Sequence, residues 1–206
     1  MGKIVAGKWK KIIAKSKPRA KDDGNKNRVY QLRISLADSK PEIWRRILVH
    51  GTTTLSKLHR IIQALMLWED YHLHDFLIDG VRYSVPDPED MEPCKDEKRY
   101  HLHEVATQEG MIFLYIYDFG DDWAHKIEVE KILDSDKRFA GKPVCIDGAL
   151  SGPPEDSGGI YGYYETLKAA KNPKHREHKT SKEWLGEFDP NAFDIGSINR
   201  VLEGLR

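Results

Sequence analysis

Alternation between apolar and polar positions predicts two strands near the start of the chain. Apolar side chains occupy every second position from Tyr30 to Leu36, and a second alternating run extends from Ile43 to Val49. Such alternation is typical of strands with one buried face. Because only a short turn at residues 38–41 separates the two runs, we expect an antiparallel hairpin.

The pattern then changes to the spacing of an amphipathic helix. Threonines at positions 52–54 can cap its first turn. Apolar residues follow every three or four positions, and the pattern ends near Trp68: Leu55, Leu58, Ile61, Ile62 and Leu65. Asp79 and Gly80 then form a strong signal for a two-residue hairpin turn between two short strands.

The second half of the chain predicts two more strands and then helices. Residues 111–117 are apolar at consecutive positions, which predicts a central strand buried on both faces. Residues 123–130 alternate, with Trp123 and His125 on the inward side. Three helices are expected afterwards, near residues 161–171, 180–187 and 194–205. The whole pattern predicts an α+β fold: a mostly antiparallel sheet of about six strands, a helix after the first hairpin and a C-terminal group of helices.

Charge divides the chain unevenly, although its 33 basic and 33 acidic residues cancel. Residues 1–28 contain ten lysines and arginines and two aspartates, a net charge of +8, so residues 29–206 carry −8. We therefore expect a basic N-terminal arm and linker over residues 1–28 and a single acidic domain over residues 29–206.

The basic arm supports two interpretations. Its apolar residues approximate one helical face, which suits contact with a nucleic acid, a protein partner or an anionic surface. The alternative, favoured because charge runs are usually solvated, is a short docking helix or tail on the acidic domain. Lysines interrupt the apolar positions, so we do not expect a signal peptide.

Composition excludes several classes of protein. No run of 18 apolar residues occurs, so a membrane-spanning helix is not expected. Two cysteines, Cys94 and Cys145, are too few for a disulfide framework and are typical of a reducing compartment, so we expect a cytoplasmic protein. The sequence lacks the glycine-rich phosphate loops of nucleotide-binding proteins and the nucleophile elbow of hydrolases.

Four segments, in order, carry a resemblance to a known family. They are PEIWRRI at 41–47, LSKLHRIIQALMLWEDYHLHDF at 55–76, YDFGDDWAHKIEVE at 117–130 and PPEDSGGIYGY at 153–163. With them, residues 29–205 resemble the root-inducing-plasmid (pRiA-type) ORF-three-like family. The resemblance implies no catalytic residues, because none are established for the family. It does imply an association with mobile elements, since some members are similar to passenger proteins of insertion sequences.

A tight turn within the third of these segments concentrates polar groups. Three carboxylates lie beside an indole and an imidazole at Asp118, Asp121, Asp122, Trp123 and His125. Such oxygens and a nitrogen could form a divalent-cation site or a general acid–base site. The alternative, which we favour, is a hairpin whose aspartates accept backbone N–H bonds, with His125 satisfied at the edge of the core.

The loop at residues 153–159 is the second candidate. Glu155 and Asp156 could hold a metal or a cationic group, or pair with Arg45 or Arg46. We favour a structural role, in which these carboxylates complement the dipole of the helix that follows. Many members of the family that the chain resembles have a cysteine before this loop. The glycine at position 152 therefore argues against a thiol or metal role for Cys145.

Two His-x-His pairs form a third candidate, at His72, His74, His101 and His103. Such a pair on a strand points to one face and can chelate zinc. His72 and His74 would then share the face of Phe76. No Cys-x-x-Cys or His-Glu-x-x-His motif supports a zinc site, so a divalent metal is not the favoured cofactor.

Two classes of function stay open at this stage. The leading hypothesis is a non-enzymatic binding or accessory module. The alternative is a metal-dependent, hydrolytic enzyme using the turn at residues 118–125 and the loop at residues 153–159. The residues expected to bind a ligand are Trp44, Arg46, Asp118, Asp121, Asp122, Trp123, His125, Glu155 and Asp156. The sequence does not specify the oligomeric state.

Overall fold

The computed structural model describes residues 25–89, 93–134 and 141–205, so most of the predicted basic arm lies outside the described residues. The strands are β1 (Arg28–Leu36), β2 (Trp44–His50), β3 (His74–Ile78), β4 (Val81–Ser84), β5 (Lys95–Asp96), β6 (Ile112–Tyr117), β7 (Trp123–Asp134) and β8 (Val144–Ala149). They form one sheet in the order β5-β4-β3-β6-β7-β1-β2-β8. Every pair is antiparallel except β4 with β5.

Five α-helices accompany the sheet: α1 (Leu55–Met66), α2 (Leu102–Val105), α3 (Gly159–Lys171), α4 (His178–Leu185) and α5 (Ile195–Gly204). The fold is therefore α+β, with a helix after the first hairpin and a C-terminal group of helices, as the sequence pattern predicts. None of the helices among the described residues has the length and apolar content needed to cross a bilayer.

The sheet has two more strands than the sequence predicts. β5 is only two residues long and follows a proline-rich acidic stretch. β8 is an edge strand in which Cys145 is buried while Val144 and Ile146 are exposed. Short edge strands need no regular apolar alternation, because much of each faces solvent. Their hydrogen bonds to β4 and β2 therefore have no clear signal in the sequence.

Helix α1 forms as its apolar pattern predicts. The Thr54 side chain accepts a hydrogen bond of 3.1 Å from the Lys57 N–H, so Thr54 is the residue that caps the first turn. The whole predicted apolar face is buried: Leu55, Leu58, Ile61, Ile62 and Leu65. The helix ends at Leu67, which has a left-handed φ of 60°, and this reversal sends the following loop toward β3.

The central strand β6 lies between β3 and β7 and is buried on both faces, as predicted. Phe113, Tyr115 and Tyr117 face the main core beneath the helices. Leu114 and Ile116 face the other side of the sheet, where they form a small apolar cluster with Ala124.

Arg45 connects three elements from inside the core. Its guanidinium donates to the backbone oxygens of Leu65 at the end of α1 (3.1 Å) and of Ala149 in β8 (2.9 Å). Burial lowers the pKa of Arg45 to about 10, although nearby Cys145 raises it in part. The proposed pairing of this arginine with the acidic loop is therefore wrong: its partners are carbonyl oxygens.

Candidate functional site

Three loops meet at one corner of the sheet, near the start of β3 and the end of β6. We call residues 67–73, 118–122 and 150–158 the acidic corner. The Asp118 N–H donates to the Leu73 oxygen (2.9 Å), and the Gly158 N–H donates to Oδ2 of Asp121 (3.0 Å). The Trp68 indole donates to the Pro153 oxygen (2.7 Å). The turn and the Pro-Pro-Glu-Asp loop therefore contact each other directly.

Two glycines allow these loops to approach so closely. A Cβ atom at position 152 would lie 2.5 Å from the Met66 oxygen, and a Cβ at Gly159 would lie 2.2 Å from the Asp121 oxygen. Gly159 also has a φ of +68°, which side chains other than glycine rarely adopt. Replacing either glycine would push the loops apart.

The acidic corner is strongly negative. It contains no lysine or arginine, and it contains seven carboxylates: Glu69, Asp70, Asp118, Asp121, Asp122, Glu155 and Asp156. Burial raises the pKa of Asp70, although the charges of His74 and of Arg60 in α1 lower it in part.

Several of the carboxylates hold the backbone in place. Glu155 accepts hydrogen bonds from the Tyr117 hydroxyl (2.6 Å) and from the Glu69 N–H (2.7 Å). Oδ1 of Asp118 accepts from the N–H groups of Gly120 (2.9 Å) and Asp121 (3.3 Å). Burial and the hydrogen bond to Glu155 raise the pKa of Tyr117. The bonds of Asp118 match the turn role that we favoured. The bonds of Glu155 differ from the expected role at a helix start, because they go to Tyr117 and Glu69 rather than to the first turn of α3.

Two carboxylates of the corner converge on His72. Its Nε2 atom lies 3.1 Å from Oδ1 of Asp156 and 3.6 Å from Oδ2 of Asp118. The three ligand atoms all lie within 4.8 Å of one another. An imidazole nitrogen and two carboxylate oxygens in this arrangement could bind a cation, or a cationic group of a partner.

Apolar side chains are exposed on the same loops. Leu67, Tyr71, Leu73 and Phe119 are 59%, 71%, 69% and 42% exposed. Beneath them the Trp68 ring stacks on Tyr117 at 5.1 Å. The acidic corner therefore combines negative charge with a group of apolar side chains that no described residue covers.

A second group of histidines and carboxylates lies deeper in the molecule. The rings of His59 and His74 are stacked in parallel, with centroids 3.5 Å apart and planes within 1°. We call this pair, with Asp70, Glu97 and Tyr115, the histidine stack. His59 contacts the Tyr115 hydroxyl (2.8 Å) and Asp70 (2.9 Å), and His74 contacts Glu97 (2.7 Å).

The geometry of the histidine stack does not suit a metal. A metal ion lies close to the plane of each imidazole that binds it, and two parallel planes 3.5 Å apart share no such position. Burial lowers the pKa of His59 to about 3, and nearby His74 lowers it further, so the His59 ring stays neutral. Burial raises the pKa of Glu97, but the hydrogen bond and charge of His74 outweigh burial and leave it lowered.

The structure separates the other predicted ligand-binding residues. His125 is fully buried, its Nδ1 lies 3.0 Å from the Trp123 oxygen, and burial lowers its pKa to about 4. Trp44 lies on the opposite face of the sheet from Trp123, between the guanidinium groups of Arg33 and Arg46. These residues therefore do not join the acidic corner in one ligand surface.

The four histidines of the two His-x-His pairs do not converge on one point. His101 contacts Glu104 (3.1 Å), and the His103 ring contacts the Gly51 oxygen (2.9 Å). Across the described ranges, no group of three metal-ligating residues includes either of them. His72 and His74 also differ from expectation, because β3 begins at His74 and only His74 follows the strand alternation.

Sequence reasoning missed the histidine stack. His59 lies one turn after Leu55 within the apolar face of α1, which is a signal that the ring is buried. Nothing in the sequence, however, indicates that Glu97, in a short 3-10 helix after β5, reaches the ring of His74 from 23 positions away.

Comparison with known proteins places the chain in a family. A curated relative, the uncharacterised protein y4hQ of Sinorhizobium fredii, is 33% identical over 180 residues, which cover 86% of this chain and 92% of the relative. A crystal structure of a protein of unknown function, MM3350 from Methanosarcina mazei Go1, matches with a TM-score of 0.74 and 38% identity, over 82% of this chain and 96% of that chain. The family model described as plasmid pRiA4b ORF-3-like protein matches residues 28–197. The chain therefore belongs to the plasmid pRiA4b ORF-3-like family.

Proposed function

We propose that this protein is a non-enzymatic binding module and that the acidic corner contacts a protein partner. One observation carries the proposal: four exposed apolar side chains lie on two of the three loops that supply the seven carboxylates. A surface of this composition suits a partner segment that presents both cationic and apolar side chains, such as a basic amphipathic helix.

Charge and apolar contact have different roles in this proposal. The carboxylates attract a cationic segment and orient it, which mainly affects the association rate and the choice of partner. The affinity comes from burying side chains such as Tyr71 and Leu73, which are mostly exposed in the free protein. A nucleic acid is a poor candidate for this surface, because carboxylates repel phosphates.

The family and the cysteines support an expectation about where the partner is encoded and located. The family resemblance suggests a partner encoded near a mobile element. Cys94 and Cys145 are both free thiols, which supports a cytoplasmic partner. The basic arm at residues 1–28 stays a separate candidate for contact with a nucleic acid.

The geometry favours a binding module over the hydrolytic enzyme. Asp121 and Glu155 accept backbone N–H bonds that hold the loops together. His125 is fully buried against the Trp123 oxygen, away from any substrate. A general base must reach the proton that it removes, so His125 does not fit that role.

Peptide binding tests this function. The probe is a fluorescent synthetic helix of alternating lysine and leucine pairs, titrated with the full chain and followed by anisotropy. We expect binding that weakens as salt rises, because charge attraction is screened. Leu73→Ser and Tyr71→Ser should each weaken binding about tenfold, which corresponds to about 1.4 kcal/mol.

Matched controls separate this surface from general stickiness. Val201→Ser removes an exposed apolar side chain from α5 and should leave the affinity unchanged. A peptide of the same length with glutamate in place of lysine should not bind. Absence of binding by the lysine peptide, or an equal loss in the Val201 and Leu73 variants, would contradict the proposal.

A further inference from the structure

We infer that the acidic corner also binds a divalent transition-metal ion of the Zn²⁺ type, with His72, Asp118 and Asp156 as the protein ligands. This inference does not depend on the proposed peptide surface, because it concerns three polar side chains rather than the exposed apolar ones. Three features of the corner support it: the spacing of the ligand atoms, the orientation of one Asp118 oxygen and the contacts that position His72.

The spacing of the ligand atoms matches a metal site. Protein ligands lie about 2.0–2.2 Å from Zn²⁺, so atoms bound to the same ion are about 3.0–3.5 Å apart. Nε2 of His72 is 3.1 Å from Oδ1 of Asp156 and 3.6 Å from Oδ2 of Asp118. Only small side-chain movements are needed to bring all three atoms into one coordination sphere.

Asp118 offers one of its carboxylate oxygens to a ligand. Its Oδ1 atom accepts both backbone N–H bonds of the turn. Its Oδ2 atom faces His72 at 3.6 Å, beyond hydrogen-bond distance. Because the side chain is only 12% exposed, water screens its charge only in part, and a cation between Oδ2 and His72 would compensate that charge.

His72 is positioned by contacts that leave its Nε2 atom facing the carboxylates. Its ring packs edge-on against Tyr117 at 5.7 Å. The Tyr117 hydroxyl accepts hydrogen bonds from the N–H groups of Tyr71 (2.9 Å) and His72 (3.3 Å). These two bonds hold the backbone from which the His72 ring extends. Two ligands are therefore preorganised, whereas the exposed Asp156 can close on the ion from solvent.

The ligand set predicts which ion binds. Imidazole nitrogen with carboxylate oxygen suits zinc and similar transition metals, whereas magnesium and calcium prefer sites made of oxygen alone. Three protein ligands leave at least one position open to water or to a group from a partner. Nε2 of His72 faces oxygens of both Asp118 and Asp156. The rings of His59 and His74, in contrast, are stacked in parallel and cannot direct a nitrogen each at one ion.

Calorimetry with the full chain tests this inference. After dialysis against a chelator and its removal, titration with Zn²⁺ should show one site, and Zn²⁺ should raise the melting temperature. Asp118→Asn, His72→Gln and Asp156→Asn should each lower the affinity at least tenfold. Asp118→Asn is informative because the amide oxygen can still accept the two backbone bonds, whereas an NH₂ group replaces Oδ2.

The controls make every outcome decisive. His175→Gln removes another histidine, next to Glu177 on the C-terminal segment, and should leave the zinc site intact. Millimolar Mg²⁺ should not displace Zn²⁺. No binding, or unchanged affinity in all three ligand variants, would overturn the inference. If Asp118→Asn does not fold, Asp156→Asn decides, because that side chain is 70% exposed. Leu73→Ser should keep zinc binding, so this test and the peptide test can fail separately.

Discussion

The histidine stack and the acidic corner are built from the same chemical groups, yet they differ in access and direction. His72 and His74 are two positions apart in the sequence. His74 lies in the core, stacked on His59 and bonded to the buried carboxylate of Glu97. His72 lies nearer the surface, and its Nε2 atom is 3.1 Å from Asp156 and 3.6 Å from Asp118.

Residue types alone therefore do not define a site. In the histidine stack, the known partners of both rings are side chains of the protein itself, so the group holds α1, β3 and the segment after β5 together. In the acidic corner, Nε2 of His72 faces two carboxylates, and solvent reaches His72 and Asp156. Polar groups whose partners lie within the protein stabilise the fold, whereas converging groups with an open position can bind a ligand.

Acidification should have the largest effect, which is a loss of unfolding free energy. Burial lowers the pKa values of His59 to about 3 and of His125 to about 4, while unfolded histidines bind protons near pH 6.5. Between pH 6.5 and pH 4.5 the unfolded chain takes up protons that the folded chain excludes, so stability falls as the pH falls. We expect the free energy of unfolding to decrease on the order of 4 kcal/mol over this range, measured by urea denaturation.

A substitution separates this effect from ordinary acid sensitivity. His125→Leu removes one of the two titrating rings and should roughly halve the loss between pH 6.5 and pH 4.5. Phe113→Leu, a core change without a titrating group, should lower stability equally at each pH. A pH dependence that His125→Leu leaves unchanged would contradict this explanation.

Removing one carboxylate from each group should have the next largest effect. Glu97→Ala leaves buried His74 without its partner at 2.7 Å, which should cost about 3 kcal/mol of unfolding free energy. Asp156→Ala removes a partner of His72 at 3.1 Å but at an exposed position, so the cost should be less than about 1 kcal/mol. Chemical denaturation at pH 7.5 measures both, and equal losses would show that the two environments do not differ as described.

Altering the histidine stack should have little or no effect on zinc affinity. Asp70→Asn changes a partner of His59 (2.9 Å) that is not one of the three proposed zinc ligands, so the zinc affinity should stay unchanged. The same calorimetric titration measures it against the native chain. A loss comparable to that of Asp118→Asn would mean that the stack, rather than the corner, holds the ion.

The outline of the fold could be predicted because local patterns carry it. The apolar spacing of α1, the Asp79–Gly80 turn and the continuous apolar run of β6 each have a physical cause within a few residues. Edge strand β8 could not be predicted, because its stability comes from hydrogen bonds to β2, far away in the sequence.

The candidate site was only partly predictable for the same reason. The carboxylates of the turn and of the Pro-Pro-Glu-Asp loop stand out in the sequence, and so does His72. That Asp118 and Asp156 share His72, while Asp121 and Glu155 bind backbone, depends on how three loops pack. His125 is as conspicuous in the sequence as His72, but its position in β7 directs its side chain into the core.

Short-range patterns set the α+β class, the positions of the principal helices and strands, and the supply of carboxylates and imidazoles. They also place His59 and His125 on inward faces, because periodicity and turn chemistry act over short stretches of chain. Which carboxylate meets each imidazole depends on how loops far apart in the chain pack together. Those contacts exist only in the tertiary structure, and no local pattern records them.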